Sequence, residues 1–233
     1  MTATQIKTET KNSTYLNQAS LEEIVETCVE SPNGFNIDFL AAQADHWVLV
    51  TTVREADELR GFSFFTLDRI GGTPCVLVGL AYICRTDTRS IVLANIVNDQ
   101  MRRASLSFPD EDVLFSTQIN NSGAFEVFDL FHNVVPRPDF NPTGEDRAWG
   151  RRLAKRLGIS MFSYEDRSFV ARSKQLPPVV FDHVSIKPAV NALDTTSLLE
   201  KLEQSDGDTL IVHGWAKAEQ LAKLTVVLPE QPS

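Results

Sequence analysis

Three consecutive β-rich runs, joined by short turn sequences, are the feature that most constrains how this chain folds. The runs are Trp47–Arg54, Leu59–Asp68 and Cys75–Cys84. Between them lie Glu55-Ala56-Asp57-Glu58 and Gly71-Gly72-Thr73-Pro74, which are typical of turns. Such short connections join antiparallel neighbours, because a parallel crossover needs a dozen or more residues. The sequence therefore predicts a three-stranded antiparallel meander.

Helical patterns flank this meander on both sides. Ser20 and Glu23 form a capping-box pattern, which predicts that a first helix begins there. Apolar residues then recur at helical spacing, and a second short helix is predicted over Ile37–Ala44. A helix over Arg89–Ala104, a strand over residues 113–119 and a helix over residues 122–131 follow. Helices, meander, helix, strand and helix in this order predict an α+β fold, with a mixed, mostly antiparallel sheet flanked by helices.

The last third of the chain has a looser pattern, which predicts one domain over residues 1–172 and a C-terminal α/β extension over residues 173–233. We expect the extension to pack on the first domain or to mediate association. The predicted elements are a helix over Glu145–Leu157, a strand over Met161–Ala171, a connector over Gln175–Val190, a helix over Thr196–Gln204, a strand over Thr209–His213, a helix over Ala216–Lys223 and a strand over Leu224–Leu228.

Composition excludes several classes of function. The formal charge of −9 argues against a nucleic-acid partner. No apolar run reaches the ~18–20 residues of a membrane span, so no membrane is expected. The polar N-terminus lacks the pattern of a signal peptide, which favours the cytoplasm. Three cysteines and four histidines, without metal-ligand spacing, predict neither disulfides nor a metal site.

One segment carries a resemblance to a known family. The run Val113–Ile119 is followed by Asn121-Ser122-Gly123-Ala124-Phe125-Glu126-Val127-Phe128, and the meander contains Leu59-Arg60-Gly61-Phe62. A strand ending in Asn, with Ala three residues later, resembles the fifth strand and fourth helix of GNAT acyltransferases. The Leu-x-Gly-Phe run resembles the third strand of that superfamily. The resemblance covers about residues 15–170 and implies the GNAT fold.

The resemblance also implies an acyl-CoA cosubstrate. In the family, a loop reading Arg/Gln-x-x-Gly-x-Gly/Ala after the fourth strand holds the pyrophosphate of coenzyme A at a helix N-terminus. The matching positions begin at Arg89 and close at Ala94, but the central Gly is replaced by Val92. A β-branched side chain restricts the backbone there. The positions expected to bind the cosubstrate are Cys84, Arg85, Arg89, Ser90, Ile91, Val92 and Ala94.

Catalytic positions are likewise implied by the resemblance. The thioester donor would lie between the fourth and fifth strands, with its carbonyl near Tyr82–Cys84. The acceptor, an amine or hydroxyl of a small molecule or peptide, would approach past Asn121 and Ser116. Tyr82, Ser116 and Asn121 are therefore the candidate catalytic residues. The family's usual Tyr, which protonates the thiolate, is Phe128 here.

Two functions stay open at this point. The first is an acyl-CoA-dependent acyltransferase, supported by Arg89, Ala94 and Asn121. The second is a non-catalytic GNAT-like binding or assembly module, favoured by Val92 and Phe128. A homodimer is possible in either case. The basic helix around Arg152 and Arg156 is either an anion clamp or a solvated amphipathic face.

Overall fold

The computed structural model describes residues 5–174, 176–185 and 195–226. The first half of the chain forms the predicted meander, preceded by one additional edge strand. Each of these four strands is antiparallel to the next. They are β1 (Ile6–Asn12), β2 (Leu49–Glu55), β3 (Glu58–Ile70) and β4 (Thr73–Ile83).

Three helices accompany these strands: α1 (Gln18–Thr27), α2 (Ile37–His46) and α3 (Arg89–Ser107). The predicted capping box at Ser20 is wrong. The N-cap of α1 is Asn17, whose side chain accepts a hydrogen bond from the amide of Ser20. Asn is as good an N-cap as Ser, and it lies three residues earlier.

The second half of the chain completes the sheet. The segment after β5 is a 3-10 helix, not the predicted α-helix, and it spans Ser122–Leu130. The other elements are β5 (Val113–Ile119), β6 (His132–Val135), α4 (Gly144–Arg156), β7 (Tyr164–Glu165), β8 (Val170–Ala171), β9 (Phe181–Asp182), α5 (Thr196–Leu199), a 3-10 helix Gln204–Asp206, β10 (Thr209–Ala216) and α6 (Ala218–Val226).

The described strands form a single sheet in the order β1-β2-β3-β4-β5-β10-β8-β7, with β6 paired to β10 and β9 paired to β4. Along this order only β4 and β5 are parallel, which confirms the predicted α+β class with a mixed, mostly antiparallel sheet. Strand β10 pairs antiparallel with β5 from Leu210 to Ala216, so part of residues 173–233 lies in the middle of the same sheet. The division at residue 172 stays a prediction.

Two predicted strands in the last third of the chain are wrong. Residues 161–171 contain only the two short strands β7 and β8, because the chain turns back between them and Phe169 adopts a left-handed φ of 60°. Residues 224–226 belong to α6, and residues 227 and 228 lie outside the described part. Local apolar runs predict strands poorly where tertiary contacts decide the conformation.

Strands β4 and β5 separate partway along their length, and the candidate site lies where they separate. They are paired from Cys75 and Leu114 to Leu77 and Ser116, after which no pairing between them continues in the described residues. A gap therefore opens toward the C-terminal ends of both strands. No helix among the described residues is long and apolar enough to cross a membrane.

Candidate functional site

The gap between β4 and β5 is filled by residues 179–185 of the same chain, here called the insert segment. Its strand β9 runs parallel to β4, with Ala81 opposite Phe181 and Tyr82 opposite Asp182. The amide of Ala81 donates a hydrogen bond to the carbonyl of Val180 at 3.0 Å. Phe181 is fully buried, and β9 contacts both β4 and β5. The insert segment therefore replaces β5 as the backbone hydrogen-bonding partner of β4 in this part of the sheet.

Asp182 anchors one side of the insert segment. This buried carboxylate accepts hydrogen bonds from Ser31 Oγ at 2.7 Å and from Asn33 Nδ2 at 3.2 Å. The guanidinium of Arg85 lies 3.6 Å away and also donates to the carbonyl of Glu30. A buried carboxylate is stable only when such partners satisfy it. The loop after α1 and the end of β4 thus hold the insert segment in place.

His183 anchors the other side. Its Nε2 lies 2.9 Å from Glu126 Oε2, and Ser90 Oγ donates to Glu126 Oε1 at 3.3 Å. Burial lowers the pKa of His183, although the hydrogen bond with Glu126 opposes that shift. No described residue hydrogen-bonds to the buried Nδ1 of His183. The imidazole thus connects the insert segment to the 3-10 helix after β5 and, through Glu126, to the first turn of α3.

Gly123 provides the room that the insert segment needs. A Cβ at this position would lie 2.6 Å from the amide nitrogen of Ser185 and 2.7 Å from the carbonyl oxygen of His183. Both contacts are with backbone atoms, which cannot move aside as a flexible side chain can. The φ of Gly123 is not positive, so close approach and not conformational freedom explains this glycine.

An open cleft of about 590 Å³ lies beside the insert segment. Hydrogen bonds join its polar walls: Asn120 Nδ2 donates to Asn33 Oδ1 at 3.1 Å, and Gln204 Nε2 donates to the Asn120 carbonyl at 2.9 Å. The cleft offers mostly uncharged amide and hydroxyl groups. It is lined by Pro32, Asn33, Arg85, Asn120, Asn121, Ser122, Asp182, Val184, Thr196, Leu199, Glu200 and Gln204.

The three candidate catalytic residues have different surroundings. Tyr82 is buried, and this burial raises the pKa of its hydroxyl. Ser116 is also fully buried, and its Oγ donates to the carbonyl of Val212 on β10 at 3.0 Å. Asn121 lines the cleft, but its Oδ1 accepts from the amide of Ala124 at 3.0 Å as the N-cap of the 3-10 helix. In this conformation Ser116 and Asn121 have structural roles.

The predicted phosphate loop is the start of a helix. Residues 89–94 form the first turns of α3, where the amides of Arg89 and Ile91 donate to the carbonyls of Thr86 and Thr88. These two amides are therefore already engaged by the protein's own backbone. Val92 points away from this terminus: its side chain is fully buried, and its Cγ1 would lie 2.7 Å from a Cβ added at Gly61.

The remaining predicted positions are divided between the site and its surroundings. Arg85 lines the cleft, and Ser90 reaches Glu126 beside the insert segment. Ile91 is half exposed, and Ala94 is partly buried within α3. Cys84 is partly buried, and burial raises the pKa of its thiol, which argues against a reactive thiolate.

Phe128, at the position where the family usually has Tyr, belongs to an aromatic cluster in the core. Its ring centroid lies 5.6 Å from that of Phe115 and 6.0 Å from that of Phe131. The side chain is 4% exposed. Phe128 is thus a packing residue of the core. Among the described residues, no group of three or more His, Cys, Asp or Glu is arranged to hold a metal ion.

The sequence did not indicate that three central residues of the site lie together: Asp182, His183 and Glu126. Residues 175–190 contain Pro177-Pro178 and look like a connector, although Val179-Val180-Phe181 is an apolar, β-prone run that is consistent with a buried strand. Its partner lies about a hundred residues earlier in the chain, and no local pattern identifies it.

No protein-family model and no curated protein matches this chain. Similar solved structures include a GNAT-family acetyltransferase from Bacillus cereus, with 15% identity and a TM-score of 0.39 over 57% of this chain and 89% of that one. A GNAT-family acetyltransferase from Brucella melitensis, in complex with acetyl-CoA, has 11% identity and a TM-score of 0.36 over 53% and 82%. An aminoglycoside N-acetyltransferase, AAC(6')-Iy, in complex with CoA, has 11% identity and a TM-score of 0.37 over 80% and 97%. The chain is thus similar to GNAT-family acetyltransferases at low identity.

Proposed function

We propose that this protein is a non-catalytic binding module with a GNAT-like sheet, whose acyl-donor cleft is closed by its own chain. The observation that carries the proposal is the insert segment. By the family resemblance, a thioester donor would lie between β4 and β5 near Tyr82–Cys84. The amide of Ala81 beside this position already donates to Val180, and Phe181 fills the space between the strands.

The anchoring of the insert segment supports closure as its native state. Removing it would leave the Asp182 partners Ser31 and Asn33 and the His183 partner Glu126 to find other partners. Leaving buried polar groups unsatisfied costs about 1–3 kcal/mol each. Gly123 has room only for a hydrogen where the insert segment passes. Independent contacts from the loop after α1, from β4 and from the 3-10 helix after β5 thus favour the closed arrangement.

The chemistry around the donor position also supports a binding role. Phe128 replaces the family's proton donor, and the engaged amides of Arg89 and Ile91 offer less to a pyrophosphate than a free helix terminus does. The open cleft, with its amide and hydroxyl lining, is then the surface that remains for a ligand. Its charges nearly balance, since Arg85 is paired with Asp182 and only Glu200 adds a negative charge.

One observation favours a second function, acyl transfer after the insert segment leaves. Strands β4 and β5 separate after Leu77 and Ser116 although both continue for several residues. If the gap had no function, continuous pairing of the two strands would give a more stable sheet, because each additional pair adds backbone hydrogen bonds. The separation itself is the geometry that an acyltransferase requires.

Thermal unfolding with millimolar acetyl-CoA or CoA tests both functions, because a ligand that binds the folded state must raise the Tm. The proteins are the natural chain, Gly123→Ala and Gly144→Ala. Gly123→Ala forces the insert segment away from the 3-10 helix, whereas Gly144 has nothing within 4 Å of an added Cβ and is the matched control.

A binding module predicts no shift in any of the three proteins. A shift confined to Gly123→Ala would favour acyl transfer after displacement of the insert segment. A shift in the natural chain would contradict closure altogether. Val92→Asp is not a useful test of phosphate binding, because Val92 packs against Gly61 in the core and its substitution would destabilise the fold.

A further inference from the structure

The turn after α4 carries two apolar side chains at its tip. The amide of Ser163 donates to the carbonyl of Ser160 at 2.9 Å, which closes a tight turn over residues 160–163. Phe162 is fully exposed, and Met161 is 44% exposed. Turns of this kind favour Gly, Pro, Asn, Asp or Ser at their centre. Turn geometry therefore gives no reason for Met and Phe, and removing them from water would be favourable.

A groove of suitable chemistry lies between the C-terminal end of α3 and α6. It has a volume of about 270 Å³. Its apolar lining includes Leu106, which is 64% exposed, and its edge is acidic. The residues that define this α3–α6 groove are Leu106, Phe108, Pro109, Leu221, Asp110 and Glu111.

The charges of the two surfaces are complementary. Lys155 and Arg167 flank the 160–163 turn in the sequence, both are exposed, and neither forms an ion pair within the described residues. Asp110, at the edge of the groove, has no ion-pair partner among those residues either. The two acids next to the turn, Glu165 and Asp166, are paired with Arg172 and Arg151. Lys155 and Arg167 therefore leave unpaired positive charge near the apolar tip, and this charge fits an acidic rim.

Both surfaces lie at the same end of the sheet. Asp68 at the end of β3 forms an ion pair with Arg156, the last residue of α4 before the turn. The next residue, Arg69, pairs with Glu111 at 2.5 Å, and its guanidinium lies 4.9 Å from the ring centre of Phe108. Successive side chains of a strand point to opposite faces of the sheet, so Asp68 and Arg69 place the base of the turn and the edge of the groove at one end of the sheet, on its two faces.

We infer that the partner is a second copy of this chain. The 160–163 turn of each protomer docks into the α3–α6 groove of the other, so that Phe162 enters the groove and Lys155 and Arg167 face Asp110. Because the tip and the groove lie at the same end of the sheet, a two-fold axis that passes this end brings both contacts together at once. Such an isologous pairing closes as a dimer and does not extend into a filament.

Sedimentation equilibrium of the full chain, from micromolar to hundreds of micromolar, tests this dimer. The natural chain is expected to dimerise. Phe162→Asp at the tip and Leu106→Asp at the groove should each raise the dimer Kd at least tenfold, as expected for an apolar anchor at an interface. Val29→Asp is the control, because Val29 is 82% exposed but belongs to neither surface. Circular dichroism checks that each variant is folded.

A mixture of Phe162→Asp and Leu106→Asp gives the sharper result. The mixed pair retains one intact contact, formed by the natural turn of one protomer and the natural groove of the other. Heterodimers should therefore form at concentrations where each variant alone is monomeric. A monomeric natural chain, as would follow if residues 227–233 or a different protein covers the groove, overturns the inference. Dimers that persist in both single variants overturn it as well.

Discussion

Phe181 offers the most informative single substitution, because its burial depends entirely on where the insert segment lies. Its side chain is fully buried between β4 and β5. Truncating a buried Phe to Ala removes apolar contacts and leaves a cavity, which costs about 3–5 kcal/mol. We therefore predict that Phe181→Ala lowers the free energy of unfolding by about this amount. The protein should remain folded, since domains have about 5–15 kcal/mol of stability.

Urea unfolding monitored by circular dichroism measures this loss. Phe181→Leu is the matched control, because it retains most of the apolar volume and should cost less than about 1.5 kcal/mol. A loss below about 1 kcal/mol for Phe181→Ala would refute the burial of this ring. A small loss accompanied by newly acquired acetyl-CoA binding would instead mean that the insert segment detaches locally. In that case the loss of unfolding free energy cannot exceed the free energy with which the insert segment binds to the sheet.

Substitutions at three further positions test other parts of the fold. Burial lowers the pKa of His213 to about 4, below its ordinary ~6.5. The unfolded chain therefore takes up the proton first as the pH falls, and stability should drop by up to about 1.4 kcal/mol per unit between those values. Urea unfolding across this pH range should show a shallower slope for His213→Gln than for the natural chain, because the contribution of His213 is lost while that of His183 remains. Asn121→Ala should cost about 1 kcal/mol in urea unfolding, and Asn121→Ser should cost little, because the side chain caps the 3-10 helix. Asp208→Ala should lower the unfolding free energy by about 1.5–3 kcal/mol, because this carboxylate accepts from Arg172 and from two backbone amides.

The meander and the strand before Asn121 could be predicted because their signals are local. Turn residues such as Gly71 and Gly72 separate the strands, and both adopt a positive φ that glycine allows. The Asn121 position also behaves as the pattern suggests, since it follows β5 closely and caps the 3-10 helix that comes next. Periodicity and turn chemistry decide such elements within about ten residues.

The candidate site could not be predicted in the same way. Strand β9 has two residues, and its place depends on a hydrogen bond between Ala81 and Val180, about a hundred positions apart. The pattern around Val92 suggests an altered phosphate loop, whereas the side chain packs against Gly61. The family resemblance indicates where a donor would lie, but it contains nothing about a later segment that fills that position.

Amide hydrogen exchange at Ala81 tests the central claim most directly. This amide points into the gap between β4 and β5, where its acceptor is the carbonyl of Val180. If the insert segment closes the gap, the amide should exchange as slowly as amides in the middle of the sheet, and Gly123→Ala should accelerate it while Gly144→Ala should not. Exchange of Ala81 in the natural chain at the rate of an open loop would contradict closure of the donor cleft.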